Sequence, residues 1–452
     1  MNFTLSIVVS TKRTAGAVAG TLLAFVAASG SAVAQDTSTD LRTVYEQSKT
    51  YDAEYQASQF DLQAAIERVP LARSAFLPQL AIGAEAGISS ASGDVQGSFE
   101  ETSLSLTLNQ SIFNRANSQI LNQTQIGVKQ AEAQYAATGQ ALILRVATAY
   151  FDVLRAQADV EFSQSELQAI SRQREQAERR FDVGLVPITD VRSAQAQYDL
   201  AVAQEIAASN QLSTAREAML RISGVDAELL TPLASDLPLN PPNPANIDAW
   251  VDRAIEQNLD LVISRLATEI SATQESIERA GRFPTLDLVA LAASATTEQL
   301  GSRDRDVTDI SLQLRVPIYT GGRVSAQISQ AKAQTRASEQ LLLAQERTTM
   351  QQTRDAYRGV QASISRVRAL RQALASTQKS AEATEAGFRA GTRTSVEVLQ
   401  ALRDTFRAQS DYAGARYDYI INTLNLRAAS GILAEDDLFA INRFLALPQT
   451  NN

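Results

Sequence analysis

A chain of 452 residues with neither cysteine nor histidine lacks whole classes of chemistry from the outset. Disulfides, lipidated cysteines, Ser-His-Asp and Cys-His catalysis and every His- or Cys-based metal site are excluded. Its 50 acids against 41 bases leave a formal charge of −9, which argues against nucleic acid as a partner.

Residues 1–34 read as a signal peptide. Lys12 and Arg13 precede an apolar run from Ala15 to Gly30, and Ala32-Val33-Ala34 puts small residues at the −3 and −1 positions of a cleavage site. The run is short for a membrane anchor, so the mature chain is expected to begin at Gln35 with a charge of −11. No later stretch approaches the roughly 18 uninterrupted apolar residues of a membrane helix.

From Asp40 to Ser74 the spacing of Leu41, Val44, Tyr45, Ser48 and then Tyr55, Leu62, Ile66, Val69 predicts helix, ended by Pro78. Alternation follows. Leu80, Ile82, Ala84, Ala86 and Ile88 share one strand face; after a Ser- and Gly-rich turn, Leu104, Leu106 and Leu108 alternate with Ser103, Ser105 and Thr107. This hairpin spans 78–113. Residues 115–181 hold no proline and predict one helix of roughly 100 Å at about 1.5 Å per residue. The helix breaks near Gly184 and Pro187, then resumes to Arg221.

The pattern then repeats. Pro232, Pro238, Pro241, Pro242 and Pro244 mark 231–246 as a connector between two copies of one unit, 35–230 and 247–431. Leu77-Pro78 returns as Phe283-Pro284, Phe181-Asp182-Val183-Gly184 as Phe388-Arg389-Ala390-Gly391, and Gly224 as Gly431, at an offset of 206 or 207 residues. The second copy reads as a helix over 247–280, a hairpin over 284–319, and long helices from Arg323 to Phe388 and on to Ala429. Arg303-Asp304-Arg305-Asp306 reads as a polar loop before a strand that alternates Ile310, Leu312, Leu314, Val316 and Ile318. The tail, 432–452, is short and mixed.

Two hairpins with one apolar face each could also build a soluble sandwich, but the flanking long helices count against it. Strands of about ten residues match a bilayer. Four strands fall short of the roughly eight that close a barrel, and an open sheet edge in lipid leaves unsatisfied amides. Strands that span a membrane here therefore require several protomers to share one wall.

These residues carry a family resemblance. Leu77-Pro78-Gln79-Leu80, Gln110-Ser111-Ile112-Phe113, Thr148-Ala149-Tyr150-Phe151, Arg180-Phe181-Asp182-Val183-Gly184-Leu185-Val186, Ile188-Thr189-Asp190-Val191, Pro317-Ile318-Tyr319 and Gly391-Thr392-Arg393-Thr394 resemble the TolC family of outer-membrane channels. The likeness runs from Asp40 to about Leu447. It implies a mostly α fold with a membrane β-barrel: a homotrimer in which each protomer adds four strands to one twelve-stranded barrel and long helices to a periplasmic tunnel. Residues near 225–257 and the tail would form a belt around that tunnel. The resemblance implies an exit duct for efflux pumps or type I secretion, located in the outer membrane and extending into the periplasm. Its partners would be outer-membrane lipid, a periplasmic adaptor and an inner-membrane pump of RND, ABC or MFS type.

The resemblance also implies roles. Asp190, Arg393 and Phe388 fall at the gate lock, Glu397 and Gln400 at the pore constriction, and Gly184, Leu185, Val186, Gly391 and Thr392 at the adaptor-docking tips. Phe388 stands where the family has a tyrosine, so a hydroxyl is missing, and Gln400 removes one of two acidic rings. Independently of the family, Thr394 and Glu397 read as a helix capping box, and Asp190 as a first-turn acid favoured by the helix dipole. Asp404 shares a face with Glu397. No catalytic, cofactor-binding or metal residues are assigned, because the acids are spread along helices. The competing reading is a secreted coiled-coil scaffold, which would have no use for two matched hairpins.

Overall fold

The computed structural model describes residues 39–91, 97–226, 229–234, 236–297 and 303–445. The expected signal peptide, the hairpin turn tips and the end of the tail lie outside the described residues. Thirteen elements follow in order: α1 Leu41–Tyr51, α2 Ala53–Ser74, β1 Gln79–Ala91, β2 Gly97–Phe113, α3 Arg115–Asp182, α4 Ile188–Ser223, α5 Ile247–Gln257, α6 Leu259–Ala280, β3 Thr285–Thr297, β4 Arg303–Arg315, α7 Arg323–Arg389, α8 Ser395–Ala429 and α9 Glu435–Asn442. Among the described residues no helix is long and apolar enough to cross a membrane.

The structure divides two helices that periodicity reads as single. Asp52 ends α1, its N–H donating to the Ser48 carbonyl at 2.8 Å, and starts α2, its Oδ1 accepting from the Tyr55 N–H at 2.8 Å. Asn258 does the same between α5 and α6, with 2.9 Å to the Ala254 carbonyl and 3.1 Å from the Leu261 N–H. Both residues have extended backbone, and the side-chain oxygen takes the place of the lost helical acceptor. The apolar spacing runs on across each break, which hides it from a pattern search. Pro70 also sits inside α2, which ends at Ser74, before Pro78.

The four strands form one antiparallel sheet in the order β1-β2-β3-β4, so β2 and β3 join the two halves. Paired residues share a face. Ile82, Leu106, Ala292 and Thr308 form one row, and Leu80, Leu108, Ala290 and Ile310 the row below it. Across the sheet lie Ala81, Thr107, Leu291 and Asp309, with Glu85, Ser105, Asp287, Gln313 and Arg315 on that same polar face. The run 303–306 belongs to β4 and is not a loop. Its alternation holds: Asp304 and Asp306 face Thr296 and Ser294, and the Thr296 hydroxyl donates to Asp304 at 2.8 Å. At the other end β4 stops at Arg315, ahead of Val316 and Ile318, because Pro317 has no N–H to add to the ladder.

The helices pair as long hairpins, α3 with α4 and α7 with α8, with α3 also against α8. The large core side chains gather in a belt: Leu142, Val146, Tyr150, Phe151, Trp250 and Leu424 are buried there. Tyr150 donates to the Thr231 carbonyl at 2.7 Å, which fixes the connector to α3. Away from the belt, Ala133, Ala177, Ala194, Ala201 and Ala408 are buried along the seams beside a few larger side chains such as Ile170 and Leu399. Small seam residues let the helix axes approach closely and keep the walls thin.

The tail is more ordered than its composition suggests, because 435–442 forms α9. Glu435 accepts from the Tyr45 hydroxyl at 3.0 Å and from Lys49 at 2.9 Å, and Asn442 donates to Asp40 at 2.9 Å. Segment 229–234 is bonded to Thr39 on one side and to Phe444 on the other. Gly431 closes α8 at φ +75°, where an added Cβ would lie 2.2 Å from the Gln257 carbonyl oxygen. Gly431→Ala therefore meets immovable backbone and a positive φ together. We expect a loss of about 2–4 kcal/mol, read as a lower unfolding midpoint. An unchanged midpoint would contradict this packing.

Candidate functional site

The tips of the two helical hairpins carry the residues that the sequence singles out, and both turn the same way. At the first, the Gly184 N–H donates to the Phe181 carbonyl at 2.8 Å and the Leu185 N–H to the Arg180 carbonyl at 2.9 Å. At the second, Gly391 donates to Phe388 at 3.0 Å and Thr392 to Gly387 at 2.9 Å. Gly184 and Gly391 have φ of +73° and +76°, the left-handed step that lets the orphan carbonyls of a helix end be capped.

The two return helices start differently. Thr394 caps α8: its hydroxyl accepts from the Glu397 N–H at 3.3 Å, while Glu397 accepts from the Thr394 N–H at 2.7 Å. Pro187 begins α4 with no side-chain cap, and Asp190 occupies the first-turn position that Glu397 holds in α8. The capping box is thus present at one tip and replaced by an acid alone at the other.

A cleft of about 260 Å³ lies between the tips, lined by Arg180, Leu185, Asp190, Phe388 and Arg393 among others. The structure therefore brings the three expected lock residues together. Phe388 is buried, with the Arg180 guanidinium 4.7 Å above its ring. That cation–π contact occupies the face of a ring which has no hydroxyl to offer. Arg393 donates to Glu397 at 2.7 Å, and among the described residues no ion pair joins it to Asp190 within the protomer. Leu185 is 71% exposed at the apex, Val186 is half-buried, and the Thr392 hydroxyl donates to the Gly387 carbonyl at 3.0 Å. Gln400 donates to Asp404 at 3.1 Å, one turn along α8.

Glu397 is therefore a satisfied carboxylate. Hydrogen bonds from the Thr394 backbone, then Arg393 and the Thr394 hydroxyl, hold its carboxyl down at about 2. A depressed carboxyl stabilises the fold above its unfolded value of roughly 4.5, and the contribution is lost as pH falls toward 2. Channel closure that depends on this cap is expected to be constant from pH 7 to 5. Conductance steps centred near pH 6 would point to another group.

One connection escapes sequence reasoning. Arg403 of α8 reaches both helices of the other hairpin, with Nε 3.2 Å from Glu166 of α3 and Nη1 donating to Gln197 of α4 at 2.7 Å. Burial pushes the Glu166 carboxyl up, and Arg403 draws it back. Nearby, the Ser410 hydroxyl donates to Asp159 at 2.5 Å. Residues so far apart in the chain leave no local signal of their contact. Among the described residues no cluster of acids could hold a metal ion.

Residues 44–225 and 250–432 match the family model described as outer membrane efflux protein. The chain is 36% identical over 427 residues to the outer membrane protein TolC of Escherichia coli (strain K12), covering 91% of this chain and 86% of that one. It is 28% identical over 403 residues to the alkaline protease secretion protein AprF of Pseudomonas aeruginosa, covering 86% and 83%. Among solved structures, the Campylobacter jejuni CmeC outer membrane channel superposes with a TM-score of 0.75 at 14% identity over 90% of each chain. Those relatives are channel and secretion proteins rather than enzymes.

Proposed function

We propose, for a chain that belongs to the outer membrane efflux protein family, that three copies form one exit duct serving efflux pumps or type I secretion. The protein is an outer-membrane channel that extends into the periplasm. One observation carries the trimer. A four-stranded sheet with an apolar face ends in two open edges, β1 and β4, and continues into helices of 68 and 67 residues. Three sheets make twelve strands, close every edge, and turn Leu80, Ile82, Leu106 and Ile310 to lipid and Asp287, Asp309 and Gln313 to water.

The tips at Gly184, Leu185, Val186, Gly391 and Thr392 then lie farthest from the membrane. They are offered to a periplasmic adaptor, with an inner-membrane pump of RND, ABC or MFS type supplying the energy. Leu185 supports this, being a large apolar side chain held in solvent by a rigid turn. Asp190, Phe388 and Arg393 are the lock of this reading, which the cleft they line together supports. The units 35–230 and 247–431, the connector 231–246, the tail 432–452 and a cleaved 1–34 are proposed as its organisation. Gel migration of unheated and boiled outer-membrane extracts tests the assembly. A heat-resistant trimer supports it; a folded monomer in detergent-free buffer removes both barrel and duct, and favours the scaffold.

Glu397 and Gln400 form the constriction. Because Arg393 neutralises Glu397 and Gln400 carries no charge, trivalent cations should block this channel weakly. Arg393→Ala frees three carboxylates and should tighten the block at least several-fold, and adding Glu397→Ala should abolish the gain. Single-channel recording with a trivalent cation on the periplasmic side gives the answer. Equal block in all variants would remove Glu397 from the pore.

A further inference from the structure

The sheet's two open edges are equal in length, 13 residues in β1 and 13 in β4. On the reading that three copies share one barrel, β4 of one protomer pairs antiparallel with β1 of the next. The register of that seam can be worked out from the residues themselves.

Residues directly opposite lie on the same face, so the seam can shift only by even steps without turning leucines into the water. Within a protomer, one row perpendicular to the strands runs Gln79, Asn109, Val289, Ser311. If Ser311 met Gln79 of the next copy, the rows would close on themselves and the strands would stand upright, which a barrel does not allow. Sliding Ser311 below Gln79 leaves nearly half of both edges or more unpaired in lipid. Sliding it upward places it opposite Ala81, Gly83 or Glu85. With a rise of about 3.4 Å and a strand spacing of about 4.8 Å, these staggers tilt the strands by about 20°, 35° and 47°. Membrane barrels tilt by roughly 35–45°, which rules out 20° and leaves 35° inside that range and 47° at its upper margin.

Side chains decide between them. With Ser311 opposite Gly83, Glu85 faces Asp309 directly, a like-charge pair repeated three times around the lumen, and Gln79 crowds Arg315. With Ser311 opposite Glu85, the long side chains of β4 all meet small residues of β1: Arg315 meets Ala81, Gln313 meets Gly83, and Asp309 meets Gly87. The one long lumenal side chain of β1 in this stretch, Glu85, meets a serine that can donate to it. On the lipid face Ile82 meets Leu314, Ala84 meets Leu312, and Ala86 meets Ile310. A Cβ at Gly87 meets nothing within 4 Å in its own protomer, which leaves room for the neighbour's Asp309.

We propose that the protomers join in this register, from Ala81 opposite Arg315 to Ala91 opposite Arg305, a stagger of six residues per protomer. The seam is then a size- and charge-matched surface made for a second copy of the same chain.

The absence of cysteine makes the test clean. Directly opposite Cα atoms lie about 4.5–5.5 Å apart, within disulfide reach, whereas a slip of two residues puts them at about 8–9 Å, outside it. The variant Glu85→Cys with Ser311→Cys should give, on oxidation of outer membranes, a reducible ladder of covalent dimer and trimer on denaturing gels. Gly87→Cys with Asp309→Cys reports the same register from a second position, in case the first variant assembles poorly. Glu85→Cys with Asp309→Cys should give at least tenfold less. Cross-linking that favours the last pair, or trimers that none of the pairs can link, overturns the register while leaving the trimer standing. A wild-type chain that is monomeric in the membrane overturns both.

Discussion

Leu106→Arg should empty the outer membrane of this protein, and Thr107→Arg should leave it in place. The two residues are neighbours on β2 and differ in the face they occupy. Leu106 lies in the lipid-facing row between Ile82 and Ala292, and Thr107 in the lumenal row between Ala81 and Leu291. An arginine on the lipid face near the bilayer midplane costs about 2–4 kcal/mol, and symmetry triples it to roughly 6–12. That approaches the roughly 5–15 kcal/mol that holds an ordinary domain together. In the lumen the same side chain remains hydrated and costs little. Immunoblots of fractionated membranes compare the two. Equal amounts of both variants would mean that the apolar face does not meet lipid.

Removing the Arg403 bridge should leave the trimer assembled but leaky. Arg403→Ala removes the contacts of α8 with both Glu166 of α3 and Gln197 of α4, and Glu166→Gln removes the charge at α3 alone; both keep the tip residues untouched. The side chain of Glu166 is 18% exposed and that of Arg403 39%, so solvent screening reduces the pair to about 1 kcal/mol per protomer. If three copies open together, about 3 kcal/mol is lost, and the open population rises about a hundredfold. Single-channel openings and sensitivity of cells to bulky antibiotics both report it. Heat resistance of the trimer should not change, which separates a gating role from a general loss of folding. Exchanging the charges, Glu166→Arg with Arg403→Glu, should restore closure in part. Variants as tightly shut as the parent would show that the tips alone hold the gate.

What sequence reading finds here is what chemistry repeats locally. The alternation of Ile310, Leu312 and Leu314 and the proline-free run after Arg115 each follow a single period, and both elements appear. Gly184 and Gly391 are legible because a helix end needs a left-handed residue, and Thr394 with Glu397 because a capping box lies within four residues. Asp304 and Asp306 mislead because charges suggest a loop, although a barrel strand continues beyond the apolar band where charges belong. α9 is hidden because eight residues hold too little pattern, and its partners Tyr45 and Lys49 are at the other end of the chain. At the site, spacing alone permits the i, i+4 contact of Arg393 with Glu397, while the resemblance directs attention to Asp190. Arg403 is illegible for the plainest reason, since its partners Glu166 and Gln197 lie far from it in the chain.

The clasp between α1 and α9 sets an order of events. Tyr45 leaves the export machinery 390 residues ahead of its partner Glu435, and Asp40 402 residues ahead of Asn442. Until α9 arrives, the belt lacks these bonds. A nonsense mutation a few codons before Glu435 would thus be punished far beyond its length.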